Sequence, residues 1–432
     1  VVFHGSFADT IDVIRDRLPK VKTWLWVDDA SGTCPAWATP YEEAATSAVA
    51  RVAPAWGRSG DDLNFLYTGG TTGMPKGVMW RQDDLAVKLT ATGASPLPDE
   101  GTLEDVRATL TRPGARFLPA CPQMHGTGNF PGLGTLCGGG SIVTLAGRNF
   151  DAIELLDAIE REGVNSLAIV GDAFAKPILR ALDAEPGRWN LSSLVGIVSS
   201  GVMWSQETKT RLLEHHPGMV LMDAFSSSEA LGMGSSVSAA GATAETAKFE
   251  LSPDTIVIDD LNRPLAPGSG EVGRLAVGGR QPVGYYKDPE KSARTFYEVD
   301  AKRYSCPGDF ATIEADGKIT LLGRGSQCIN TGGEKVFPEE VEEAMKTHPD
   351  VLDAVAVGIP DEKFGEAVTG MVEARPGHSV DAAAVIAHVK TNLAAYKAPK
   401  HIVVVDTIGR AANGKVDYKR LRGEATDVLG AG

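Results

Sequence analysis

A chain of 432 residues, 43% hydrophobic and 23% charged, has the composition of a soluble globular protein and is too long for one compact core, so two or more domains are expected. A formal net charge of −14 excludes nucleic acid or an acidic membrane surface as the main partner, and an anionic ligand would have to meet local positive charge. No apolar stretch is long enough to span a bilayer, and the scattered Cys34, Cys121, Cys137, Cys306 and Cys328 form no CxxC, which favours free thiols in a reducing cytosol over disulfides or zinc.

The chain opens Val-Val-Phe-His-Gly, with no initiator methionine and no signal peptide, and reads as starting inside a strand, so an N-terminal segment is expected to be missing. A helix over 7–18 and a strand over 23–27 follow, then a polar linker rich in Ala, Pro and Trp. Phe65-Leu66-Tyr67 reads as the end of a buried strand and Val78-Met79-Trp80 as a second apolar segment. Between them lies Thr68-Gly69-Gly70-Thr71-Thr72-Gly73-Met74-Pro75-Lys76-Gly77. Backbone amides and hydroxyls of such a loop converge on one anion and Lys76 adds a point charge, the chemistry of a polyphosphate cradle. It is not the P-loop of nucleotide triphosphatases, because Gly77 follows Lys76 instead of preceding it.

Residues 95–116 read as an exposed insertion and 117–146 as a glycine-rich stretch around His125. From 151 the pattern alternates. Asp151 can N-cap a helix to 161 with Ile153, Leu156 and Ile159 near one face, and Gly163 ends it. A strand at 166–170, a helix at 174–182, a strand at 194–199, a helix at 206–215 and a strand at 219–223 follow. The fold class is therefore α/β, a large N-terminal domain of mostly parallel sheet covered by helices. Ligands of such sheets sit beyond the carboxyl ends of strands, which points to Ser199-Ser200-Gly201 and to 224–229. Short segments at 255–258, 273–277 and 318–322, separated by Pro-Gly and Asp-Gly turns, predict a small antiparallel β part. Arg324-Gly325-Ser326 reads as a hinge. It divides a domain at 1–324 from a small, mobile α+β C-terminal domain at 325–432, with Pro338 in the first turn of a helix to 345, strands at 354–359, 368–374 and 401–406, and a helix over 381–395.

The order Thr-Gly-Gly-Thr-Thr-Gly-x-Pro-Lys-Gly resembles the AMP-binding signature of the adenylate-forming superfamily, which includes acyl-CoA synthetases, peptide-synthetase adenylation domains and luciferases. Further segments resemble its other motifs in the same order: Pro122-Gln123-Met124-His125-Gly126, Asp223-Ala224-Phe225-Ser226-Ser227-Ser228-Glu229, Pro282-Val283-Gly284-Tyr285-Tyr286-Lys287-Asp288, Pro307-Gly308-Asp309 with Gly323-Arg324, Asn330-Thr331-Gly332-Gly333-Glu334-Lys335 and Asn413-Gly414-Lys415-Val416-Asp417. Several segments look like actinobacterial acyl-CoA synthetases, some of which act on steroid side chains.

The resemblance implies an AMP-forming acid–CoA ligase that uses ATP, Mg²⁺ and coenzyme A. It assigns Thr68, Gly69, Gly70, Thr71, Thr72, Gly73 and Lys76 to the phosphates, and Ser200, Gly201, Ala224, Phe225 and Ser226 to the nucleotide. Ser228 is placed on phosphate, Glu229 on Mg²⁺, Asp309 on the ribose hydroxyls, Arg324 on the ribose and phosphate side, and His125 at the acyl entrance. Thr331, Gly332, Gly333 and Glu334 face CoA in the second step, and Lys415 catalyses adenylation. Three departures stand out: Phe225, Ser226 and Ser228 replace Tyr, Gly and Thr, Ser326 replaces the usual hinge acid or lysine, and an N-terminal segment on the order of a hundred residues is absent. The expected partners are a carboxylic acid, ATP and CoA, with no nucleic acid and no transmembrane segment; the location is cytoplasmic, and a homodimer is open. The resemblance implies a long-chain fatty or steroid-derived acid; the glycines at 126, 128, 132, 134 and 138–140 fit a bulky or long acid near the acyl channel, or else serve tight turns. Two rival readings remain: an enzyme that hands acyl-AMP to a carrier-protein pantetheine or to oxygen, and an inactive nucleotide-binding fragment. A Rossmann dehydrogenase is excluded, because no GxGxxG follows a strand.

Overall fold

The computed structural model describes residues 1–47, 55–68, 75–91, 96–98, 101–147, 149–331, 334–411 and 414–430. Val1–Ser59 and Gly60–Gly432 form two compact units.

In the first unit, strands Val2–His4, Leu25–Val27 and Thr39–Pro40 make a parallel sheet. Helix Ala8–Arg15 links the first two strands. Trp37 stacks on Phe3 at 5.4 Å and meets Trp24 edge-on at 6.1 Å. The stretch expected to be linker thus carries a short strand and the helix Tyr41–Thr46, which Pro40 enters at φ −55. Proline's fixed φ suits that entry.

The second unit is built on a sheet of thirteen strands among the described residues. Its parallel part comprises Val220–Phe225, Gly196–Ser199, Ser166–Ile169, Arg116–Pro119 and Ser141–Ile142. Val220–Phe225 then pairs antiparallel with Gly234–Ser238, and the sheet continues through Lys248–Leu251, Ile319–Arg324, Asp309–Ile313 and Val272–Val277. The parallel and antiparallel parts are therefore one continuous surface. Helix Ala152–Glu162 is capped by Asp151, whose carboxylate accepts from the Ile153 and Glu154 amides. Leu155, Leu156 and Ile159 of this helix bury against Leu167, Ile169, Ile178 and Leu118. Ile153, expected on that face, is exposed.

Two helices lie in the stretches read as an exposed insertion and as glycine-rich. Leu103–Thr109 starts from a capping box between Thr102 and Asp105. Gly126–Cys137 forms despite its glycines and Pro131. A Cβ at Gly128 would stand 2.9 Å from the Pro122 carbonyl oxygen, and one at Gly134 the same distance from that of Leu89. These glycines let the helix pack directly on neighbouring backbone, so their missing side chains leave no room for a ligand. Tertiary contact outweighs the helix-breaking tendency of glycine, about 1 kcal/mol per residue.

Strands Leu63–Thr68 and Lys76–Arg81 form a hairpin extended by Gly284–Tyr285. In the C-terminal region, Val351–Asp361 and Gly365–Ala374 pair antiparallel, and His401–Val405 lies parallel to the latter. Helix Pro338–Lys346 begins at the expected proline. The helix Tyr418–Gly430 has no counterpart in the sequence reading.

Candidate active site

The ladder of the first hairpin ends at the pair Thr68 and Lys76, so both stand at the mouth of the connecting loop. Gly69, Gly70, Thr71, Thr72 and Gly73 lie outside the described residues. The Lys76 ammonium is 3.8 Å from the Asp288 carboxylate and 6.0 Å from the centroid of the Tyr285 ring. Lys291 sits 5.1 Å from the same ring. Burial, then the neighbouring Lys76, pushes the Lys291 ammonium below its ordinary pKa. Two cations crowded on one face make a region that a polyphosphate would relieve. Lys291 is not legible as a site residue from its motif.

Trp80 is fully buried, and its indole N–H donates to the Ser228 carbonyl at 2.9 Å. This bond ties the hairpin of Leu63–Thr68 and Lys76–Arg81 to the segment after Val220–Phe225. In that segment the Tyr285 hydroxyl donates to Glu229 Oε1 at 2.8 Å, and the Ser305 hydroxyl donates to the Glu229 carbonyl at 2.7 Å. Glu229 is therefore held from three sides: through Ser228, through its own carbonyl and through its carboxylate. The motif Pro282–Asp288, read from sequence as structural, supplies both Tyr285 to Glu229 and Asp288 to Lys76.

Ala224 and Phe225 end their strand beside Ser199, as the sheet rule predicts. The Phe225 ring packs on Phe249 at 5.5 Å. The Ser226 hydroxyl accepts from the Gly232 amide at 3.0 Å, closing the turn. The Ser200 carbonyl accepts from the Thr127 hydroxyl at 3.4 Å, which links this strand end to the helix beginning after His125. Gly201 follows at φ +93.

Asp309 and Arg324 are register partners on adjacent antiparallel strands, next to a bulge that re-aims the strand end. Arg324 Nε lies 3.3 Å from Asp309 Oδ1. Asp309 is 5% exposed, and its Oδ2 is buried with no partner among the described residues. Burial raises the Asp309 pKa, and Arg324 opposes that rise. A buried acceptor without a donor is costly unless a ligand completes it. A pair of ribose hydroxyls has the required chemistry.

Lys415 arrives from the C-terminal region. Burial lowers its pKa first, then repulsion from Arg324, against the attraction of Glu229. The Lys415 charge in turn joins burial in lowering the His125 pKa. The structure thus brings Lys415 within electrostatic reach of Arg324, Glu229 and His125. Gly414, at φ +75, lies so close to the parallel sheet that a Cβ there would be 3.0 Å from Val170 Cγ1. Thr331 and Glu334 pair with each other across a hairpin whose first strand lies on Gly365. Gly332 and Gly333 are outside the described residues. Among the described residues no three His, Cys, Asp or Glu side chains cluster to hold a metal. A single carboxylate such as Glu229 suits an ion that brings most of its oxygen ligands with a substrate polyphosphate. No helix among the described residues is long and apolar enough to cross a membrane.

Comparison with known proteins agrees with this geometry. The family model for the AMP-binding enzyme matches residues 2–286, and that for its C-terminal domain matches 340–415. The medium-chain acyl-CoA ligase Mig of Mycobacterium avium is 39% identical, over 99% of this chain and 78% of the relative. A medium/long-chain-fatty-acid–CoA/3-oxocholest-4-en-26-oate–CoA ligase of Mycolicibacterium smegmatis is 40% identical, over 97% of this chain and 77% of the relative. Among solved structures, the anthranilate CoA ligase AuaEII in complex with anthranoyl-AMP shares the fold at TM-score 0.79 and 20% identity, covering 99% of this chain and 78% of that one. With matched family models at both ends of the chain, and the motifs in order along a shared fold, this chain belongs to the AMP-binding enzyme family.

Proposed function

We propose that the protein is an AMP-forming acyl-CoA ligase acting on a long-chain fatty or steroid-derived acid, with the residues above in their family roles. The observation that carries the assignment of roles is the convergence of Lys415, Arg324, Glu229 and His125 from separate parts of the chain. The choice of acid rests on the names of the relatives in Mycobacterium avium and Mycolicibacterium smegmatis.

In the first half-reaction a carboxylate oxygen attacks the α-phosphorus of ATP, and pyrophosphate leaves with the electron pair of the broken P–O bond. Lys415 bridges the incoming carboxylate and the α-phosphate, where negative charge accumulates in the transition state. Asp309 and Arg324 hold the ribose side, while Lys76, Ser228 and the loop 69–74 hold the phosphates. Mg²⁺ carried by ATP would rest on Glu229 and neutralise the leaving pyrophosphate. In the second half-reaction the CoA sulfur attacks the acyl carbon, AMP leaves, and the thiol proton passes to solvent. We assign 325–432 as a mobile domain that withdraws Lys415 and presents Thr331, Gly332, Gly333 and Glu334 for that step, since two reactions in one site require gating. Free thiols at all five cysteines accord with a cytoplasmic location.

The deciding experiment separates the half-reactions. Lys415→Ala abolishes pyrophosphate release from acid plus ATP and leaves thioester formation from supplied acyl-AMP and CoA largely intact. Equal loss of both would sink the two-position assignment. Absence of any thioester with free CoA in the unmodified protein would favour handover to a carrier or an inactive nucleotide-binding fragment. A panel of fatty, aromatic and steroid acids, read by AMP release, identifies the substrate class.

A further inference from the structure

The turn that carries Lys415 is anchored by side chains that stand away from the reacting atoms. Within it, the Ala411 amide donates to the Lys415 carbonyl at 2.9 Å and the Gly414 amide to the Ala411 carbonyl at 2.8 Å. Just before it, Arg410 grips Asp353 with two parallel bonds, Nε to Oδ2 at 2.6 Å and Nη2 to Oδ1 at 2.8 Å. The remaining terminal nitrogen, Nη1, donates to the Gly414 carbonyl at 3.2 Å. That carbonyl belongs to the peptide unit joining Gly414 to Lys415, so its orientation sets the direction in which the Lys415 side chain leaves the backbone.

Both members of the pair are sheltered, with side chains 17% and 21% exposed, and Asp353 lies on the strand Val351–Asp361, which pairs along its length with the central strand Gly365–Ala374. A rigid sheet, a bidentate ion pair and one peptide plane therefore form a continuous support. Three residues beyond Lys415, the Tyr418 hydroxyl donates to buried Glu342 at 3.0 Å, and Glu342 also accepts from the Ala356 amide of the same strand. The turn is thus pinned on both sides to one strand. The glycine it needs at 414 makes such support necessary, because glycine alone leaves the backbone free to turn.

We propose that Asp353 and Arg410 are a positioning pair for Lys415: they fix the Gly414–Lys415 peptide plane that aims the ammonium in the adenylation half-reaction, without touching substrate. The proposal rests on Lys415 being the adenylation lysine. Arg410 uses three nitrogens at once on two partners, and a lysine at 410 keeps the charge but cannot reproduce that fork. Misplacement of a catalytic group by about 1 Å costs roughly 100-fold.

The test uses the full chain with Arg410→Lys, Asp353→Asn, the double variant and Lys415→Ala. Each single variant should lower kcat for acid-dependent pyrophosphate release by about 10- to 100-fold. The KM values for ATP and acid, and the rate of thioester formation from supplied acyl-AMP, should stay within about 3-fold. The double variant should be no slower than the worse single one, as expected of residues acting as a unit. The alkaline limb of the adenylation profile should also move to higher pH, because a Lys415 ammonium released to solvent is no longer pushed down by its surroundings. Equal loss of both half-reactions, or adenylation unchanged within about 2-fold, overturns the proposal. If Arg410→Lys does not fold, Asp353→Asn decides alone, since it keeps the shape and loses only the charge. A Lys415→Ala variant that fails to separate the half-reactions refutes the reading of Lys415; one that separates them while Arg410→Lys and Asp353→Asn stay silent refutes the pair only.

Discussion

Replacing Gly323 with alanine tests whether the strand Ile319–Arg324 and helix Pro338–Lys346 are locked together. Gly323 has φ +113, a conformation that costs an L-residue about 1–3 kcal/mol. A methyl group there would also overlap the carboxylate of Glu339, at the start of that helix. Glu339 is not free to yield. Its Oε2 is buried without a partner among the described residues, and the Arg324 amide faces its carboxylate. Burial, together with neighbouring Glu342, raises its pKa to about 8. Displacing this group forfeits a bond to a buried acceptor, about 1–3 kcal/mol. A double-mutant cycle separates the terms, because Gly323→Ala carries both in the unmodified protein and only the backbone cost in the Glu339→Ala background. The coupling should be about 1–3 kcal/mol, or roughly 5- to 150-fold. Acid-dependent ATP–pyrophosphate exchange is the assay, since the structure has Lys415 within reach of Glu229 and Arg324. Gly323→Ala should slow exchange, and should slow it less in the Glu339→Ala background than in the unmodified protein. Strict additivity of the two substitutions would refute the reasoning.

Three other outcomes follow from the site. The Lys415 ammonium has a pKa below that of free lysine, so adenylation is fully present below that lowered value and lost as pH rises through it; Lys415→Arg should carry the alkaline limb of the pH–rate profile upward, and a limb that stays in place would assign it to another group. Tyr285→Phe removes the donor that orients Glu229, and the Mg²⁺ concentration for half-maximal exchange should rise about 10-fold, whereas an unchanged requirement would argue against Glu229 as the metal's carboxylate. Trp80→Phe keeps the buried ring but leaves the Ser228 carbonyl unpaired. Thermal unfolding should show a loss of about 1–3 kcal/mol and the KM for ATP should rise, and no change in either would show that this bond carries no weight.

The elements most legible in the sequence were those with local stop and start signals. Asp151 and Pro338 announce their helices, and each begins where those residues place it. Leu103–Thr109 carried such a signal in Thr102 and Asp105, as did the last helix, where Asp417 accepts from the Arg420 amide. Both signals lie among polar residues. Gly126–Cys137 had no local signal, because its glycines answer to distant carbonyls. The site divides the same way. Lys76, Glu229, Asp309, Arg324 and Lys415 stand in restrictive motifs, whereas Tyr285, Lys291, Ser305 and Trp80 gain their roles from partners set by sheet register. Trp80 and Ser228 are 148 residues apart in the chain. Nothing local announces such a bond.

The position of the Asp309–Arg324 pair has a mechanical consequence for the proposed cycle. The two residues face each other at the end of their strands, and the chain departs for the C-terminal region at the next residue. In any rotation, travel grows with distance from the axis. A ribose held by this pair would lie almost on the axle and stay still, while Lys415, which in this arrangement stands within electrostatic reach of Arg324, would be turned away from it. The reactive mixed anhydride is then never carried between stations. It rests at the hub, and the tools for each step are swung to it in turn.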